Sequence, residues 1–365
     1  MASLQTERYS SAEWTDFAHT GPGSLAGRFM RMFWQPVYRA EDLARGQVKP
    51  VRIMSEDFTL YRGESSTPYA VAFRCAHRGT QLSVGSVEGE NLRCFYHGWM
   101  YDGSGQCVDQ PAESKPFCEK VRIRSYPARE YLGLIWVYMG EGEPPPFPRY
   151  PEFEEGDYEV VIYPPAPCNF FNRMENAVDE SHLRFVHSTL GLTGCPRVEA
   201  KETSYGIATK SVWPNGYVNG AHYQAPNASQ FKTRGREKIA WRVPIDDEHY
   251  VSFNVEPFER GRREAETATP ARVLGAKILA GDLRVSDLGN ILTLFETQDF
   301  VAQVGQGVIA DRQNDWLGAT DAGVTILRKI WSRELRALAE GRPMKKWVRP
   351  EGLVYPDDPR WDDVQ

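Results

Sequence analysis

The sequence predicts an α+β chain of two domains, a small N-terminal all-β domain and a C-terminal domain that combines an antiparallel sheet with helices. Three observations carry this. At 365 residues the chain exceeds what one hydrophobic core usually organises. The stretch Glu141-Gly142-Glu143-Pro144-Pro145-Pro146-Phe147-Pro148-Arg149-Tyr150-Pro151 cannot continue a helix or a central strand, because its prolines lack donors and fix φ. It reads as a stiff connector, and the texture of the sequence changes across it. The expected domains are residues 1–148 and 149–365.

Ahead of the connector, Leu25 to Val37 has a short helical look. Short β-like runs follow at Pro50 to Tyr61, Tyr69 to Arg74, Asn91 to Phe95 and Gly133 to Tyr138. Their β-branched and aromatic content, broken by glycines, suits small antiparallel sheets. Beyond the connector, residues 169–187 are expected to be helical, with Phe170, Met174, Ala177 and Val178 spaced for a buried face. Longer strands are expected at Thr203 to Trp213, Gly216 to Tyr223, Glu237 to Val243 and Tyr250 to Pro257. The turn Pro244 to His249 should join the last two as an antiparallel pair. Helical periodicity returns at 290–310 and 322–340, whereas 259–289 is charged and irregular and reads as a covering loop.

Hydrophobic residues at 41% and charged residues at 25% describe an ordinary globular protein. A net charge of −6 argues against a nucleic-acid partner, which favours a basic face. No stretch approaches the roughly 20 apolar residues of a membrane span, and the first residues lack a signal peptide's apolar core. Six cysteines are too few for a disulfide scaffold at this size. Cys107, Cys118, Cys168 and Cys195 are expected to be free thiols in a reducing compartment, the cytoplasm.

The most informative motif is Cys75-Ala-His77 followed, after sixteen intervening residues, by Cys94-Phe-Tyr-His97-Gly-Trp99. Each half offers one thiolate and one imidazole. Zinc takes the same donors, but its usual spacings pair Cys with Cys and His with His. The interleaving here suits two hairpin tips that pinch a two-iron cluster, each loop giving one ligand to each iron. In such a Rieske [2Fe–2S] centre two His replace two Cys on one iron and raise the reduction potential. Cys75, His77, Cys94 and His97 are therefore the candidate cluster ligands, and Gly79, Gly98, Gly103 and Gly105 punctuate the loops as tight turns require.

A second constellation is Asp179-Glu-Ser-His182-Leu-Arg-Phe-Val-His187. Two His and a distant carboxylate make the facial triad of non-haem Fe(II) oxygenases, which leaves coordination positions open. Asp179 and His182, three apart, should share a helix face. His182 and His187, five apart, diverge by about 140° on an ideal helix. A metal between them must lie beyond a helix end, or the helix must be irregular. By itself H-x₄-H also fits two ordinary exposed histidines. A redox relay, however, needs an acceptor, and four of the seven histidines fall in these two motifs.

With both motifs in view, the chain resembles the catalytic α-subunit of Rieske non-haem iron oxygenases, in the branch of phthalate dioxygenase and aromatic O-demethylases. The residues carrying the resemblance are Cys75-x-His77, Cys94-x-x-His97-Gly-Trp99 and Asn176-x-x-Asp179-x-x-His182-x₄-His187. Further support comes from Gly27–Arg31, Phe33–Val37, Leu134–Gly140, Ala310-Asp311-Arg312 and Leu317–Asp321. The resemblance implies a Rieske domain followed by a helix-grip catalytic domain with a mononuclear Fe(II), assembled head-to-tail as a homotrimer or a multiple of it. It also implies electron transfer from the cluster of one subunit to the iron of its neighbour across an acidic bridge, at the position of Asp179. That residue could equally orient a ligand histidine. His182 and His187 match iron ligands. The third ligand should be a late carboxylate among Asp287, Glu296, Asp299 and Asp311. Asp299 fits the family's Gln-Asp pattern best, and Asp311 is expected to pair with Arg312.

No G-x-G-x-x-G opens a helix after a strand, so reducing equivalents are expected from a separate NADH-dependent reductase, with or without a ferredoxin. The expected activity is hydroxylation or O-demethylation of an aromatic substrate with O₂. Ring cis-dihydroxylation is the alternative, and a pure electron carrier leaves the second His pair unexplained. The substrate is not legible. Phe231, Trp241, Phe253 and Phe295 read as core before pocket. Arg197, Arg234, Arg236 and Arg242 fit surface charge as well as carboxylate binding.

Overall fold

The computed structural model describes residues 13–233, 235–261 and 271–364. Arg31–Arg149 forms one compact unit; residues up to Met30 and from Tyr150 onward form the other. The expected first domain included the N-terminal thirty residues; of these, the described residues 13–30 group with the second unit. The reason is aromatic packing: Phe17 stacks on Phe171 with centroids 4.8 Å apart, and Phe29 meets the edge of Trp331 at 5.1 Å.

The first unit is all β apart from short 3₁₀ turns. Its strands are β1 (Trp34–Arg39), β2 (Val48–Ile53), β3 (Glu56–Arg62), β4 (Pro68–Ala72), β5 (Ser86–Glu88), β6 (Asn91–Arg93), β7 (Met100–Tyr101), β8 (Cys107–Asp109), β9 (Ser125–Tyr126), β10 (Ala128–Tyr131) and β11 (Leu134–Tyr138). They pair into antiparallel sheets ordered β1-β11-β10, β2-β3-β4-β9 and β5-β6-β7-β8. The β-like run from Pro50 to Tyr61 is a hairpin, not one strand. Met54 and Ser55 turn it with φ of 49° and 59°, the positive values that match the twist of paired strands. Neither residue is the Gly or Asn that announces such a turn. Trp34–Val37, read as the end of a helical segment, opens the strand Trp34–Arg39: the helix stops at Arg31, and Trp34 to Tyr38 pair along β11. Tyr61, Val71, Leu82, Leu92, Trp99 and Tyr101 pack into a core around Cys75 and Cys94.

The second unit is built on an antiparallel sheet of β12 (Tyr158–Ala166), β13 (Arg197–Glu202), β14 (Gly206–Val212), β15 (Val218–Asn219), β16 (Ala221–Gln224), β17 (Ala228–Thr233), β18 (Arg236–Pro244) and β19 (Tyr250–Pro257). Its order is β12-β19-β18-β17-β16-β14-β13, with β15 beside β14. Pro244 pairs with Tyr250, the hairpin expected from the sequence. The helix Ala322–Ala339 buries Leu327, Ile330, Trp331 and Leu335 along one face, the stripe an amphipathic helix presents to a sheet. Residues 271–279, expected as loop, form a helix that approaches Leu294–Val304 closely. A Cβ on Gly275 would stand 2.2 Å from the Phe300 ring. The rest of that expected loop includes residues 262–270, which lie outside the described residues. Among the described residues no helix is long and apolar enough to cross a membrane.

Candidate redox and metal centres

Two loops of the same construction carry Cys75/His77 and Cys94/His97. In one, Gly79 N–H donates to the Cys75 carbonyl and Cys75 N–H to that of Thr80; in the other, Gly98 donates to Cys94 and Cys94 to Trp99, all at 2.8–3.1 Å. Both closures need a left-handed residue, and Gly79 and Gly98 each have φ of 74°. At Gly98 a Cβ would also meet the Pro111 ring at 2.8 Å. The loops bury both sulfurs and leave both imidazoles half-exposed at the surface. The His77 and His97 rings are 4.5 Å apart, and His77 stacks on Trp99 at 4.5 Å with planes 5° apart.

The donor set fits a Rieske cluster. His77 Nδ1 is buried with no hydrogen-bond partner, as a ligand atom awaiting a metal is. Burial raises the Cys94 thiol's pKa, and Cys75 beside it adds to the rise; a bound cation would favour the thiolate form. The Tyr101 hydroxyl lies 3.2 Å from Cys75 Sγ and accepts the Ala76 N–H at 3.2 Å.

In the second unit, ligand atoms of His182, His187 and Asp299 lie within 4.8 Å of one another. The expected helix over 169–187 is broken. One helix spans Phe170–Asn176, a short one spans Leu183–Val186, and His182 and His187 flank the latter. The break lets two histidines five apart face one point, as the 140° argument requires. Its causes are partly local and partly tertiary. Asp179 Oδ1 accepts from Ser181 N–H at 2.9 Å and from its hydroxyl at 2.7 Å, a competitor to helical bonding. Glu180, 2% exposed, accepts from Thr209 (2.6 Å), Ser211 (3.0 Å) and Asn219 (2.8 Å), tying the break to the sheet. Gly323 allows the long helix in against the Val178 carbonyl, where a Cβ would stand 2.2 Å away.

Both imidazoles are aimed through Nδ1. His182 Nδ1 donates to the Asp179 carbonyl, and His187 Nδ1 to Gln298 Oε1 at 2.9 Å. Each Nε2 is left facing Asp299 Oδ1, at 3.7 Å from His182 and 3.2 Å from His187. Burial alone raises the Asp299 carboxyl's pKa, but Arg173 at 3.3 Å and the two histidines hold it well below the ordinary range. Burial alone lowers the His187 pKa; Asp299 and Gln298 outweigh it and leave it raised. Two imidazoles and an ionised carboxylate fit an Fe(II) facial triad.

Several expectations change. Asp179 does not share a helix face with His182; it lies in the break, and its carboxylate Oδ2 stands 3.9 Å from His182 Nδ1, so the backbone carbonyl is the orienting group. Arg312 pairs with Glu175 at 3.1 Å, not with Asp311, which receives Asn314 at 2.6 Å. Asp287 caps Arg284 in an exposed turn and Glu296 accepts from the Tyr163 hydroxyl at 3.1 Å, so neither joins the histidines. Phe295 is not core; it is 39% exposed and packs edge-on against His187 at 4.6 Å. Trp241 and Phe253 are buried and Phe231 partly so. Arg242 is buried, not surface charge, Arg236 donates to the Asp157 carbonyl and Arg197 pairs with Glu199, and Arg234 lies outside the described residues. Sequence reasoning missed Glu180, Arg173 and the role of Gln298. Only Gln298, adjacent to Asp299, carried a signal. A pocket open to solvent reaches Asp299; Tyr163, Arg173, Tyr250, Ser252 and Glu296 are on its wall.

Residues 33–127 match the Rieske [2Fe–2S] domain family. The 5,5′-dehydrodivanillate O-demethylase oxygenase subunit of Sphingobium sp. (strain NBRC 103272 / SYK-6) is 30% identical, over 94% of this chain and 84% of that protein. Phenoxybenzoate dioxygenase subunit alpha of Ectopseudomonas oleovorans is 29% identical, over 87% of this chain and 84% of that protein. The terminal oxygenase of carbazole 1,9a-dioxygenase from Novosphingobium sp. KA1 shares the fold, with a TM-score of 0.64 at 20% identity, over 93% of this chain and 97% of that one. A carbazole 1,9a-dioxygenase oxygenase solved as its reduced complex with ferredoxin has a TM-score of 0.61 at 19% identity, over 91% of this chain and 95% of that one. The chain therefore belongs to the Rieske non-haem iron oxygenases, as an oxygenase component that works with a [2Fe–2S] cluster and a mononuclear iron.

Proposed function

We propose that this chain inserts one atom of O₂ into an aromatic small molecule, by ring or side-chain hydroxylation or by O-demethylation. The observation that carries the reading is the convergence of His182, His187 and Asp299 beside a cavity that reaches the carboxylate. In this reading Cys75, His77, Cys94 and His97 hold the cluster, and the triad holds the iron. When bound, the iron supplies the oxygen chemistry, and the protein supplies geometry, electron timing and exclusion of solvent. The Asp179 carbonyl and Gln298 fix the ring orientations, and Arg173 holds Asp299 ionised and turned toward the histidines. The reaction consumes O₂, two electrons and two protons, places one oxygen in the product and releases the other as water.

The electrons come from NADH through a separate reductase, directly or by way of a ferredoxin. The active form is a homotrimer or a multiple of it, in which the Asp179 carboxylate bridges the iron site to a neighbour's cluster. Cys107, Cys118, Cys168 and Cys195 are free thiols, which supports a reducing compartment, and cytoplasmic residence is part of this reading. Turnover of methoxylated and carboxylated arenes under ¹⁸O₂ tests the proposal. One labelled atom in a phenol or in released formaldehyde is expected. Two labelled atoms in a cis-diol would assign ring dihydroxylation instead, and no label in any product would refute oxygenation of arenes.

A further inference from the structure

Cys107 and Cys118 are the first unit's two thiols outside the candidate cluster ligands. Their backbones are held together. Cys107 N–H donates to the Val121 carbonyl and Val121 N–H to that of Cys118, both at 3.0 Å. The Gln106 Nε2 amide donates to the Cys107 carbonyl at 3.3 Å and to the Cys118 carbonyl at 2.7 Å, so one side-chain nitrogen spans the gap between the two residues. Both side chains pack into the core around Cys75 and Cys94. Burial, with the Cys118 thiol beside it, pushes the Cys107 pKa up to about 12. The two thiols are therefore neighbours on a fixed backbone, as a disulfide requires.

The two differ in access. Cys107 is 2% exposed, and its Sγ donates to the Asp109 carbonyl at 3.6 Å. Cys118 is half-buried and opens a short 3₁₀ turn, so an oxidant from solvent reaches it first. The segment between them supports the cluster loops. Pro111 fills the space that a Cβ on Gly98 would need. Phe117 meets the edge of Trp99 at 5.6 Å, and Trp99 stacks on His77. Asp109 pairs with Arg93 at 2.9 Å, and Arg93 Nη1 also donates to the Gly98 carbonyl at 2.7 Å.

We propose that Cys107 and Cys118 form a peroxide-reactive dithiol, in which Cys118 takes the oxidant and Cys107 resolves it as an intramolecular disulfide. In the first step the Cys118 sulfur attacks one oxygen of hydrogen peroxide and the O–O bond breaks. Cys118 becomes a sulfenic acid, and its thiol proton leaves with the departing hydroxide as water. In the second step the Cys107 sulfur attacks the sulfenic sulfur, the S–S bond forms, and the hydroxyl leaves with the Cys107 proton as a second water. The pair loses two electrons and the peroxide gains two; a dithiol reductant reverses the change by exchange. Dioxygen that gains two electrons and two protons without entering a substrate is hydrogen peroxide, so an oxygenase makes this oxidant whenever turnover miscarries. The bridge spares Cys118 irreversible oxidation and closes the segment that carries Pro111 and Phe117.

The test treats the cluster-loaded protein with hydrogen peroxide, alkylates the remaining thiols and maps the peptides by mass spectrometry. Wild type should show a loss of two hydrogens in the peptide that spans both cysteines, reversed by dithiothreitol, while the visible spectrum of the cluster persists. In Cys107→Ser, Cys118 should instead accumulate sulfenic acid, trapped by dimedone, and then sulfinic acid. In Cys118→Ser, Cys107 should stay reduced. Should Cys107→Ser not fold, the wild-type map and Cys118→Ser decide. Three results would overturn the proposal: no bridge in wild type at a dose that oxidises the exposed Cys195, a bridge that forms only after the cluster is lost, or Cys107 oxidised equally fast in Cys118→Ser. The readout needs no turnover, so it stands or falls separately from the proposed function.

Discussion

Replacing Tyr101 by Phe isolates one contact to the cluster. The hydroxyl stands 3.2 Å from Cys75 Sγ, inside a core where Tyr101 is fully buried. Once Cys75 is a metal-bound thiolate the sulfur has no proton, so the hydroxyl must be the donor. Reduction adds one negative charge to the cluster and strengthens that bond, which stabilises the reduced state. A hydrogen bond to a charged group contributes about 1.5–3 kcal/mol. If roughly 1 kcal/mol of that differs between the two redox states, a one-electron couple shifts by about 40 mV. Tyr101→Phe should therefore lower the cluster potential by about 40 mV, measured by redox titration of the visible and EPR spectra. Cluster content should be unchanged, because no ligand is touched. An unchanged or higher potential in a fully loaded variant would refute the reasoning.

Other substitutions separate the two centres. Asp299→Ala should lose the mononuclear iron while the cluster spectrum survives; normal iron and activity would mean another carboxylate completes the triad. Glu180→Ala removes the acceptor of three hydrogen bonds, and about 2 kcal/mol lost should lower the melting temperature by roughly 4–8 °C, with weaker iron binding at His182. An unchanged melting temperature would show that Glu180 does not hold the break in place. Asp179→Asn should keep cluster and iron but turn over very slowly, with a reduced cluster that fails to reoxidise under substrate and O₂; full activity would end the proposed bridge. Mixing an inactive His97→Ala chain with an inactive His182→Ala chain should restore some activity where subunits exchange, since each supplies what its neighbour lacks.

The cluster loops were legible because metal ligation demands particular residue types at fixed spacing, and Gly79 and Gly98 mark the turns. His182, His187 and Asp299 were legible for a related reason, and their spacing already required the helix to bend or end. The cause of the break was not legible: Glu180 looks like any helix-surface carboxylate until β14 brings Thr209 and Ser211 to it. The β2–β3 hairpin escaped because Met54 and Ser55 adopt positive φ without the residues that favour it. Strands β13 and β17 escaped because their polar content, such as Arg197-Val-Glu-Ala-Lys-Glu202, is set by sheet neighbours rather than by local preference. In one dimension Arg242 fits surface charge as well as carboxylate binding, and only the fold reveals that it is buried.

One chain carries both a Rieske cluster and a mononuclear iron. Metal analysis of the purified protein, combined with visible and EPR spectra before and after dithionite, tests it most directly. The expected result is a brown protein with about three irons per chain, the two of a [2Fe–2S] cluster and one further iron that is lost in His182→Ala without change to the cluster spectrum. Stoichiometric zinc with no visible absorption would contradict it.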